Sequence, residues 1–365
     1  MYEGHRIAVV VPAYNEAERI GDVIETMPSF VDRIYAVDDC STDTTWAEIN
    51  RYLDPSARPE RLTRLLEIRD RMPDGNETTS PGDRSADADT DETIADGSGS
   101  SPQLVPISHD ANRGVGAAIM TGYEHSLADG MDITAVMAGD GQMDPTKLES
   151  LLEPIVDGRV DYAKGNRLLG RKDRQEMSRW RRFGNLTLTF LTKVATGYWG
   201  LMDPQNGYTA ISREALEAIE FDRLYERYGF TNDLLVMLNT NRFRVADVAM
   251  PAVYGSEESH IRYRSFVPNL SWLLCQGFAY RLYRRYLIDD FHPLTLLYGL
   301  GVAGGMSALT RLALWVRDRQ TASERTSGVE AAGAGAVLWL LSALTVVLAM
   351  IFDRLENDGM VIQLR

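Results

Sequence analysis

Residues 138–142 read Ala-Gly-Asp-Gly-Gln and directly follow the apolar run 133–137, which predicts a buried strand. Hard divalent cations such as Mg²⁺ and Mn²⁺ prefer oxygen ligands, usually one or two carboxylates together with substrate phosphates. Asp140 could supply the carboxylate and Gln142 a neutral oxygen, while Gly139 and Gly141 would let a diphosphate approach the backbone. Gly-Asp-Gly is also a common turn, so the pentapeptide alone leaves a metal site and a simple turn both open.

Two more predicted strands end in polar residues. The run 7–11 leads into Pro-Ala-Tyr-Asn-Glu at 12–16, and the run 33–37 leads into Asp-Asp-Cys-Ser-Thr-Asp at 38–43. A helical pattern follows each loop, which predicts a doubly wound α/β sheet with ligands at the carboxyl ends of its strands. Ser41 and Asp43 could instead cap the next helix, which accounts for Asp43 but not for the pair Asp38-Asp39.

The ordered set of motifs is more specific than any one of them. It comprises residues 11–16, Asp-Asp-x-Ser-x-Asp at 38–43, Asn-Arg-Gly-x-Gly-x-Ala at 112–118 and the Asp140 loop. Over residues 5–265 the chain resembles glycosyltransferase family 2, and within it the dolichyl-phosphate hexose (mannose or glucose) synthases. The resemblance implies a GT-A nucleotide-diphospho-sugar transferase fold that transfers a hexose with inversion.

The resemblance also implies roles for residues on the donor side. The nucleotide-sugar-binding set is Pro12, Tyr14, Glu16, Asp39, Arg113, Gly114 and Asp140. Asp140, assisted by Gln142, would bind the Mg²⁺ or Mn²⁺ that bridges the diphosphate. Many relatives carry Asp-x-Asp here, whereas this chain has Ala138 at the first of those positions. One carboxylate with waters and phosphate oxygens can still hold Mg²⁺, so we expect weaker metal binding rather than loss of activity.

Three later segments are candidates for the acceptor side. Arg167 follows the strand-like run 160–164 and could bind a phosphate through two hydrogen bonds. The segment 202–208, which contains Asn206, resembles the family's Asp-Pro-x-x-Gly loop beside the sugar and acceptor. It could equally be a proline-containing turn that enters a strand at 208–211. In 259–264, Arg262 and Arg264 alternate and would share one side of an extended segment, where they could offset phosphate charge. An ordinary surface strand with solvated arginines is the alternative.

Asp233 occupies the place of the general base in relatives that glycosylate hydroxyl groups. A hydroxyl nucleophile must lose its proton in the transition state, whereas a lipid phosphate is already an anion. Asp233 could therefore act as a catalytic base or position the sugar. It could also be an acidic residue that favours a helix N-terminus.

The chain changes character after residue 265. Residues 266–290 combine aromatic side chains with arginines, which is typical of an amphipathic segment in a membrane interface. Two apolar segments follow at about 293–316 and 333–352, and each has about the 20 residues that cross a bilayer core. The sequence therefore predicts a catalytic domain at 1–265 and a transmembrane hairpin at 291–355.

The arginines around the hairpin bear on its orientation. Arg281, Arg284 and Arg285 precede the first span and predict a cytoplasmic catalytic domain by the positive-inside rule. Arginines in the loop between the spans weaken that prediction, and they are Arg317, Arg319 and Arg325. A strand that begins near residue 7, with no signal sequence before it, also favours a cytoplasmic placement.

Composition restricts the environment and the partners. The formal net charge of −14 makes nucleic acid an improbable partner. Lysine occurs only at Lys147, Lys164, Lys172 and Lys193, and an acidic chain poor in lysine suggests a salt-adapted (halophilic) cytoplasm.

The stretch 72–102 is too polar to form a core and is expected to be a disordered surface insertion. The two cysteines, Cys40 and Cys275, do not indicate a disulfide framework.

These observations favour a membrane-anchored, metal-dependent, inverting hexosyltransferase. It would use a UDP- or GDP-hexose and glycosylate dolichyl or another polyprenyl phosphate, for protein glycosylation or envelope glycan assembly. One alternative is a transferase that extends a hydroxyl of a lipid-linked saccharide, with Asp233 as base. The other is a membrane scaffold that binds a nucleotide sugar without turnover, for which Ala138 is the argument.

Overall fold

The computed structural model describes residues 1–53, 102–167, 179–250, 263–321 and 327–364. These residues divide into two compact units, one of Met1–Arg113 and Ala118–Leu148, the other of Gly114–Ala117 and Glu149–Arg365. Almost all of the polar insertion expected at 72–102 lies outside the described residues, as does Arg262.

The first unit contains four parallel strands in the order β3-β2-β1-β4. They are β1 (Ile7–Ala13), β2 (Arg33–Asp38), β3 (Gln103–Ser108) and β4 (Ile133–Val136). All residues of β1 and β4 are buried, as expected for β-branched runs covered on both faces. Between the strands run α1 (Ile20–Glu25), α2 (Thr45–Arg51) and α3 (Val115–Ala128). The predicted alternation of strand, polar loop and helix is confirmed.

The second unit has a mixed set of four strands in the order β6-β5-β7-β8. They are β5 (Tyr162–Asn166), β6 (Thr209–Ser212), β7 (Val245–Ala249) and β8 (Val361–Leu364). β5 is antiparallel to β6 and parallel to β7, which is parallel to β8. The sequence predicted β5 two residues too early, because pairing with β7 continues through Gly165 and Asn166.

Helices make up most of the second unit. In chain order they are α4 (Leu148–Val156), α5 (Arg179–Thr196), α6 (Arg213–Glu217), α7 (Phe230–Thr240), α8 (Tyr263–Arg281), a π-helix (Leu282–Asp289), α9 (Leu294–Thr321) and α10 (Ser327–Glu356). Short 3₁₀ turns occupy Pro145–Lys147 and Phe221–Arg223.

Helices α9 and α10 contain two segments long and apolar enough to cross a membrane, Leu294–Arg317 and Gly333–Glu356. The first segment matches the predicted span 293–316 to within one residue, and the second begins where predicted but ends later than residue 352. The two helices pack closely where α9 carries glycine: a Cβ on Gly301 would lie 2.6 Å from a methyl group of Val346. Most of their remaining apolar side chains point away from the protein interior.

The chain returns from α10 to the sheet. Five residues after α10 ends, β8 begins and pairs with β7, with Val361 opposite Val245. The sequence analysis did not predict β8. The two apolar helices are therefore inserted between elements of the second unit rather than appended to its end.

Candidate functional site

The carboxyl end of β1 lies beside two of the predicted site loops. The backbone N–H of Asp39 donates to the carbonyl of Ala13 at 2.9 Å, and that of Gly139 donates to the carbonyl of Pro12 at 3.1 Å. Since neighbouring parallel strands end at one edge of a sheet, the first unit brings Pro12, Asp39 and the Asp140 loop together there.

Asp39 is buried and held by two groups that follow β3. Its Oδ1 accepts a hydrogen bond from the backbone N–H of Arg113 at 2.9 Å and lies 2.8 Å from Nδ1 of His109. The other ring nitrogen of His109 lies 3.0 Å from the hydroxyl of Thr121. His109 thereby fixes the orientation of Asp39 and joins it to α3. His109 was not among the residues predicted from the sequence, although it follows β3 just as Asp39 follows β2.

The loop after β1 is tied to the loop after β2. Asn15 has a positive φ of 58°, its N–H donates to the Ser41 hydroxyl at 2.9 Å, and its side-chain oxygen accepts from the N–H of Thr42 at 2.8 Å. The N–H of Glu16 donates to the Thr45 hydroxyl at 2.8 Å. These contacts fix the backbone that directly follows Tyr14, whose side chain is 46% exposed and accessible to a ligand.

Asp38 and Asp43 have local structural roles. The carboxylate of Asp38 accepts hydrogen bonds from the N–H and the hydroxyl of Ser41. Asp43 accepts from the N–H of Thr45, the first residue of α2, at 2.9 Å, although the N-cap position itself is Thr44. Burial acts to raise the pKa of Asp43, but hydrogen bonds from Thr45 and Ala17 outweigh it and lower that pKa. In the acidic pair 38–39, Asp38 forms hydrogen bonds within its own turn, whereas Asp39 contacts residues that follow β3.

The Asp140 loop folds tightly onto itself and onto β1. Asp140 Oδ1 accepts from the N–H of Gln142 at 3.0 Å, and Gly141 has a φ of 70°. A Cβ on Gly139 would lie 3.0 Å from Ile20 and 3.3 Å from the Pro12 carbonyl, so any larger residue here would have to displace the Ile20 side chain. The nearby Asp144 caps the turn Pro145–Lys147 through the N–H of Thr146.

The side-chain oxygens of Asp140 and Gln142 are of the type that a hard divalent cation prefers. No group of three or more His, Cys, Asp or Glu side chains that could hold a metal occurs among the described residues. Asp140 and Gln142 would supply one carboxylate and one amide oxygen, a set that fits Mg²⁺ or Mn²⁺ when the substrate provides the remaining ligands.

In the second unit the glycine-rich segment packs against residues 225–227. Gly114 has a φ of 105°, and a Cβ on Gly116 would lie 2.7 Å from the carbonyl oxygens of both Tyr225 and Glu226. The N–H of Ala117 donates to the Glu226 carbonyl at 2.9 Å. The glycines therefore allow close backbone packing at the start of α3, in addition to any role in binding phosphate.

Asp233 holds the same segment from the other side. Its Oδ2 accepts from the N–H of Tyr225 at 2.9 Å, near the beginning of α7. Burial raises the pKa of Asp233, although the hydrogen bond from Tyr225 and the charge of Arg223 act to lower it. The position combines the predicted helix-start location with a carboxyl group that retains its proton more readily than usual.

Arg167 follows β5 and is engaged by Asp203. Its Nε and NH2 donate to the two carboxylate oxygens of Asp203 at 2.8 and 3.1 Å, and its backbone N–H donates to Asp203 Oδ2 at 3.1 Å. Burial acts to raise the pKa of Asp203, but the interactions with Arg167 and Lys164 outweigh it and lower that pKa. The Arg167 side chain remains 46% exposed, so it can meet a ligand from a fixed position.

The local structure supports one of the two alternatives for Asn206 and differs from the expectation for Arg264. Asn206 is buried, and its side-chain oxygen accepts from the N–H of Tyr208 at 3.0 Å, which supports the turn interpretation of this loop. Arg264 is the second residue of α8, so the expectation that Arg262 and Arg264 alternate in an extended segment does not apply to it. The helix begins one residue earlier, at Tyr263.

The basic residues of segment 266–290 also differ from expectation. Arg281 is fully buried and Arg285 is nearly so, whereas Arg284 is exposed. Two of the three arginines used to predict orientation therefore bind other parts of the protein instead of facing a membrane surface. Both cysteines are free, as predicted.

The α/β fold and the strand-end loops define a GT-A glycosyltransferase. The family model of Glycosyl transferase family 2 matches residues 8–67 and 83–220. This chain belongs to that family, and it is a glycosyltransferase.

Several characterised relatives are similar over most of this chain. It is 25% identical to UDP-N-acetylglucosamine–dolichyl-phosphate N-acetylglucosaminyltransferase of Methanococcus voltae, over 68% of this chain and 86% of that protein. It is 28% identical to polyprenol monophosphomannose synthase of Mycolicibacterium smegmatis, over 67% and 76% respectively. Among solved structures, mannosyl-3-phosphoglycerate synthase from Rubrobacter xylanophilus matches 79% of this chain and 77% of its own, with 16% identity and a TM-score of 0.49.

Proposed function

We propose that this glycosyltransferase transfers a hexose from a UDP- or GDP-sugar to dolichyl or another polyprenyl phosphate at a membrane surface. The observation that carries the proposal is the pairing of β8 with β7, which builds two apolar helices into the transferase itself. An enzyme so constructed works next to a bilayer, where its acceptor is a lipid. The names of the relatives from Methanococcus voltae and Mycolicibacterium smegmatis, which specify dolichyl phosphate and a polyprenol product, support this acceptor class.

On the donor side, Asp39 binds the nucleoside in an orientation set by His109 and the N–H of Arg113. Pro12, Tyr14 and Glu16 line the base and ribose pocket, on a backbone fixed by the contacts of Asn15 and Glu16. Asp140 and Gln142 are the residues that would hold Mg²⁺ or Mn²⁺, and a bound cation would supply positive charge to offset that of the nucleoside diphosphate.

On the acceptor side, the nucleophile is a phosphate oxygen. It forms a bond to the anomeric carbon as the bond from that carbon to the diphosphate oxygen breaks, with inversion. A phosphate monoester is anionic at neutral pH, so no strong base is required. Arg167, held by Asp203, and the arginines at 262 and 264 offset the charge of the phosphates.

The two apolar helices of the second unit determine how we expect the enzyme to lie at the membrane. Since β8 pairs with β7 directly after α10, the end of the hairpin returns to the strands of the second unit. Exposed apolar side chains of the preceding segment would face the lipid, among them Trp272, Tyr283, Ile288 and Phe291. We place the catalytic residues on the cytoplasmic side, in a salt-adapted cell, with the product serving protein glycosylation or envelope assembly.

A second candidate acceptor is a hydroxyl group of a lipid-linked saccharide, with Asp233 as the general base. The raised pKa of Asp233 favours this candidate, because a base with a higher pKa accepts a proton more readily. The phosphate acceptor remains our first choice because the name of the Methanococcus voltae relative specifies dolichyl phosphate.

The test uses membranes that contain the full chain, Mg²⁺ or Mn²⁺ and dolichyl phosphate, with labelled UDP- and GDP-hexoses supplied in parallel. Metal-dependent transfer of label to a mild-acid-labile lipid from one donor would establish the reaction and identify the nucleotide. Asp140→Ala is the inactive control, and Asp144→Ala is matched to it because Asp144 caps a turn in the same loop. Nucleotide-sugar binding without transfer to any lipid would support the scaffold alternative instead.

A further inference from the structure

Lys164 is a fully buried lysine in the middle of β5, an environment in which lysine is rare. Its Nζ donates to the carbonyl oxygens of Gly165 at 3.1 Å, Met202 at 3.2 Å and Asp203 at 2.5 Å. Burial lowers the pKa of Lys164, and the charges of Asp247 and Asp203 act against that shift. Because three carbonyl acceptors require three N–H donors, the ammonium form is the one that satisfies this site.

Asp247 of β7 supplies the opposite charge. Its Oδ1 lies 3.8 Å from Nζ of Lys164 and has no hydrogen-bond partner within the described part of the chain. Its Oδ2 accepts from the Asn166 side chain at 2.5 Å and from the N–H of Met202 at 3.1 Å. Burial raises the pKa of Asp247 to about 6, a shift that the charge of Lys164 counteracts.

Together the two side chains fix the backbone before and at Asp203. Lys164 binds the carbonyls of Met202 and Asp203, and Asp247 binds the N–H of Met202. Asp203 adopts a φ of 46°, an uncommon value for a residue other than glycine that its surroundings must maintain. Its carboxylate is then placed to bind both Nε and NH2 of Arg167.

We propose that Lys164 and Asp247 are positioning residues that act through Asp203 to hold the Arg167 guanidinium ready for the phosphate of the acceptor. The ligand class is a phosphate monoester, which a fixed guanidinium binds through two parallel hydrogen bonds. This inference rests on the proposed lipid-phosphate transferase activity. Replacing Lys164 should therefore disturb the position of the Arg167 guanidinium and not only lower the stability of the protein.

A double-mutant cycle tests the coupling, with kcat and KM measured separately for donor and polyprenyl phosphate. We expect Lys164→Met and Arg167→Ala each to lower kcat/KM for the lipid phosphate about tenfold or more, with the donor KM changed less than about twofold. In the double variant the loss should equal that of Arg167→Ala alone within about twofold. Losses that multiply would overturn the proposal.

A matched control and a milder variant distinguish the proposed coupling to Arg167 from a general loss of stability. Tyr286→Phe removes two buried hydrogen bonds in the same unit, with Asp353 and Asn357, without touching residues 202–203, so its effect should multiply with that of Arg167→Ala. If Lys164→Met does not fold, Asp247→Asn replaces it, since it removes the counter-charge at nearly constant shape.

Hydrogen exchange provides a measurement that does not depend on activity. In the Lys164 or Asp247 variant, backbone amides of 202–206 should exchange at least about tenfold faster, while those of β1 and β4 are unchanged. Unchanged exchange at 202–206 would overturn the proposed holding role, even if the wild-type protein transferred no sugar. A wild type inactive with every lipid phosphate, but with the expected exchange, would instead refute the proposed function alone.

Discussion

Arg281 and Asp353 form a two-point ion pair in the protein interior. NH1 donates to Oδ1 and NH2 to Oδ2, each at 2.8 Å, and both side chains are fully buried. Arg281 also donates to the carbonyls of Val194 and Ala195, at the end of α5. The final turn of α10 is thereby joined to α8 and α5.

The same cluster extends through amide groups and a tyrosine. Asp353 accepts from the Tyr286 hydroxyl at 3.0 Å, and Arg285 donates to Asn239 at 2.6 Å and to Asn357 at 2.8 Å. Burial raises the pKa of Tyr286 to about 12, so the tyrosine stays a neutral donor. The cluster explains why arginines that resemble membrane-surface residues in the sequence are buried.

Removing the charge of Asp353 should destabilise the protein strongly. Asp353→Asn leaves the buried Arg281 without its counter-charge, and we expect the free energy of unfolding to fall by about 3–5 kcal/mol. Denaturant unfolding of the full chain in detergent micelles measures this. The control is Asp290→Asn, which breaks the partly exposed pair of Asp290 with Arg242 and should cost less than about 1 kcal/mol. Equal losses in the two variants would contradict the structural importance of the buried pair.

Adding one methyl group at Gly116 should disturb the segment 225–227. Gly116→Ala places a Cβ 2.7 Å from two carbonyl oxygens that belong to backbone and cannot rotate away. We expect a loss of about 1–3 kcal/mol in stability, which thermal unfolding would detect. Gly299→Ala is the matched control, because a Cβ there meets nothing within 4 Å and alanine favours the helix. A Gly116 variant as stable as the control would argue against the close packing.

Loss of His109 should weaken nucleotide binding more than catalysis. His109→Ala removes the side chain that lies 2.8 Å from Asp39, so Asp39, which we propose binds the nucleoside, loses one of the groups that orient it. We expect the Kd for the free nucleotide to rise about tenfold, with a smaller change in kcat. Calorimetric titration of the nucleotide measures this, and the exposed His125→Ala is the control. An unchanged Kd for the nucleotide would show that Asp39 or His109 does not take part in nucleotide binding.

Asp140→Asn should reduce activity by removing the negative charge from the proposed metal loop. Asparagine retains an oxygen that can accept from the N–H of Gln142, so the turn is preserved while cation binding weakens. We expect kcat/KM to fall about a hundredfold or more, with a higher Mg²⁺ concentration needed for half-maximal rate. An unaltered Mg²⁺ dependence would show that the metal binds elsewhere.

The pH dependence distinguishes the two acceptor classes. If Asp233 is the base, it must be deprotonated, so the rate should fall as pH drops through a pKa above the ordinary value of 3.8. Asp233→Asn should then lower kcat about a thousandfold or more and abolish that limb of the profile. With a phosphate acceptor we expect a loss of less than about tenfold, because the nucleophile needs no base. Measuring kcat against pH for both proteins decides between them.

Much of the donor half could be predicted from the sequence because its residues are local to strand ends. Asp39, Asp140 and the 12–16 segment each follow a short buried run, and parallel strands bring such ends to one edge. His109 follows the same rule after β3 and could have been found in the same way. The ordering of the motifs sufficed to indicate the family, which the match over 8–67 and 83–220 confirms.

The remainder depended on contacts between residues far apart in the chain. By itself the sequence determined the α/β class, the strand-end loops and the two apolar helices, because periodicity and strand length are local properties. The tertiary structure decided that β8 completes the sheet, that Arg281 pairs with Asp353 across 72 positions, and that Lys164 is buried beside Asp247. The sequence shows that a residue is charged but not whether it is buried. Burial of a charge requires a partner of opposite charge, and only the fold determines which distant residue provides it.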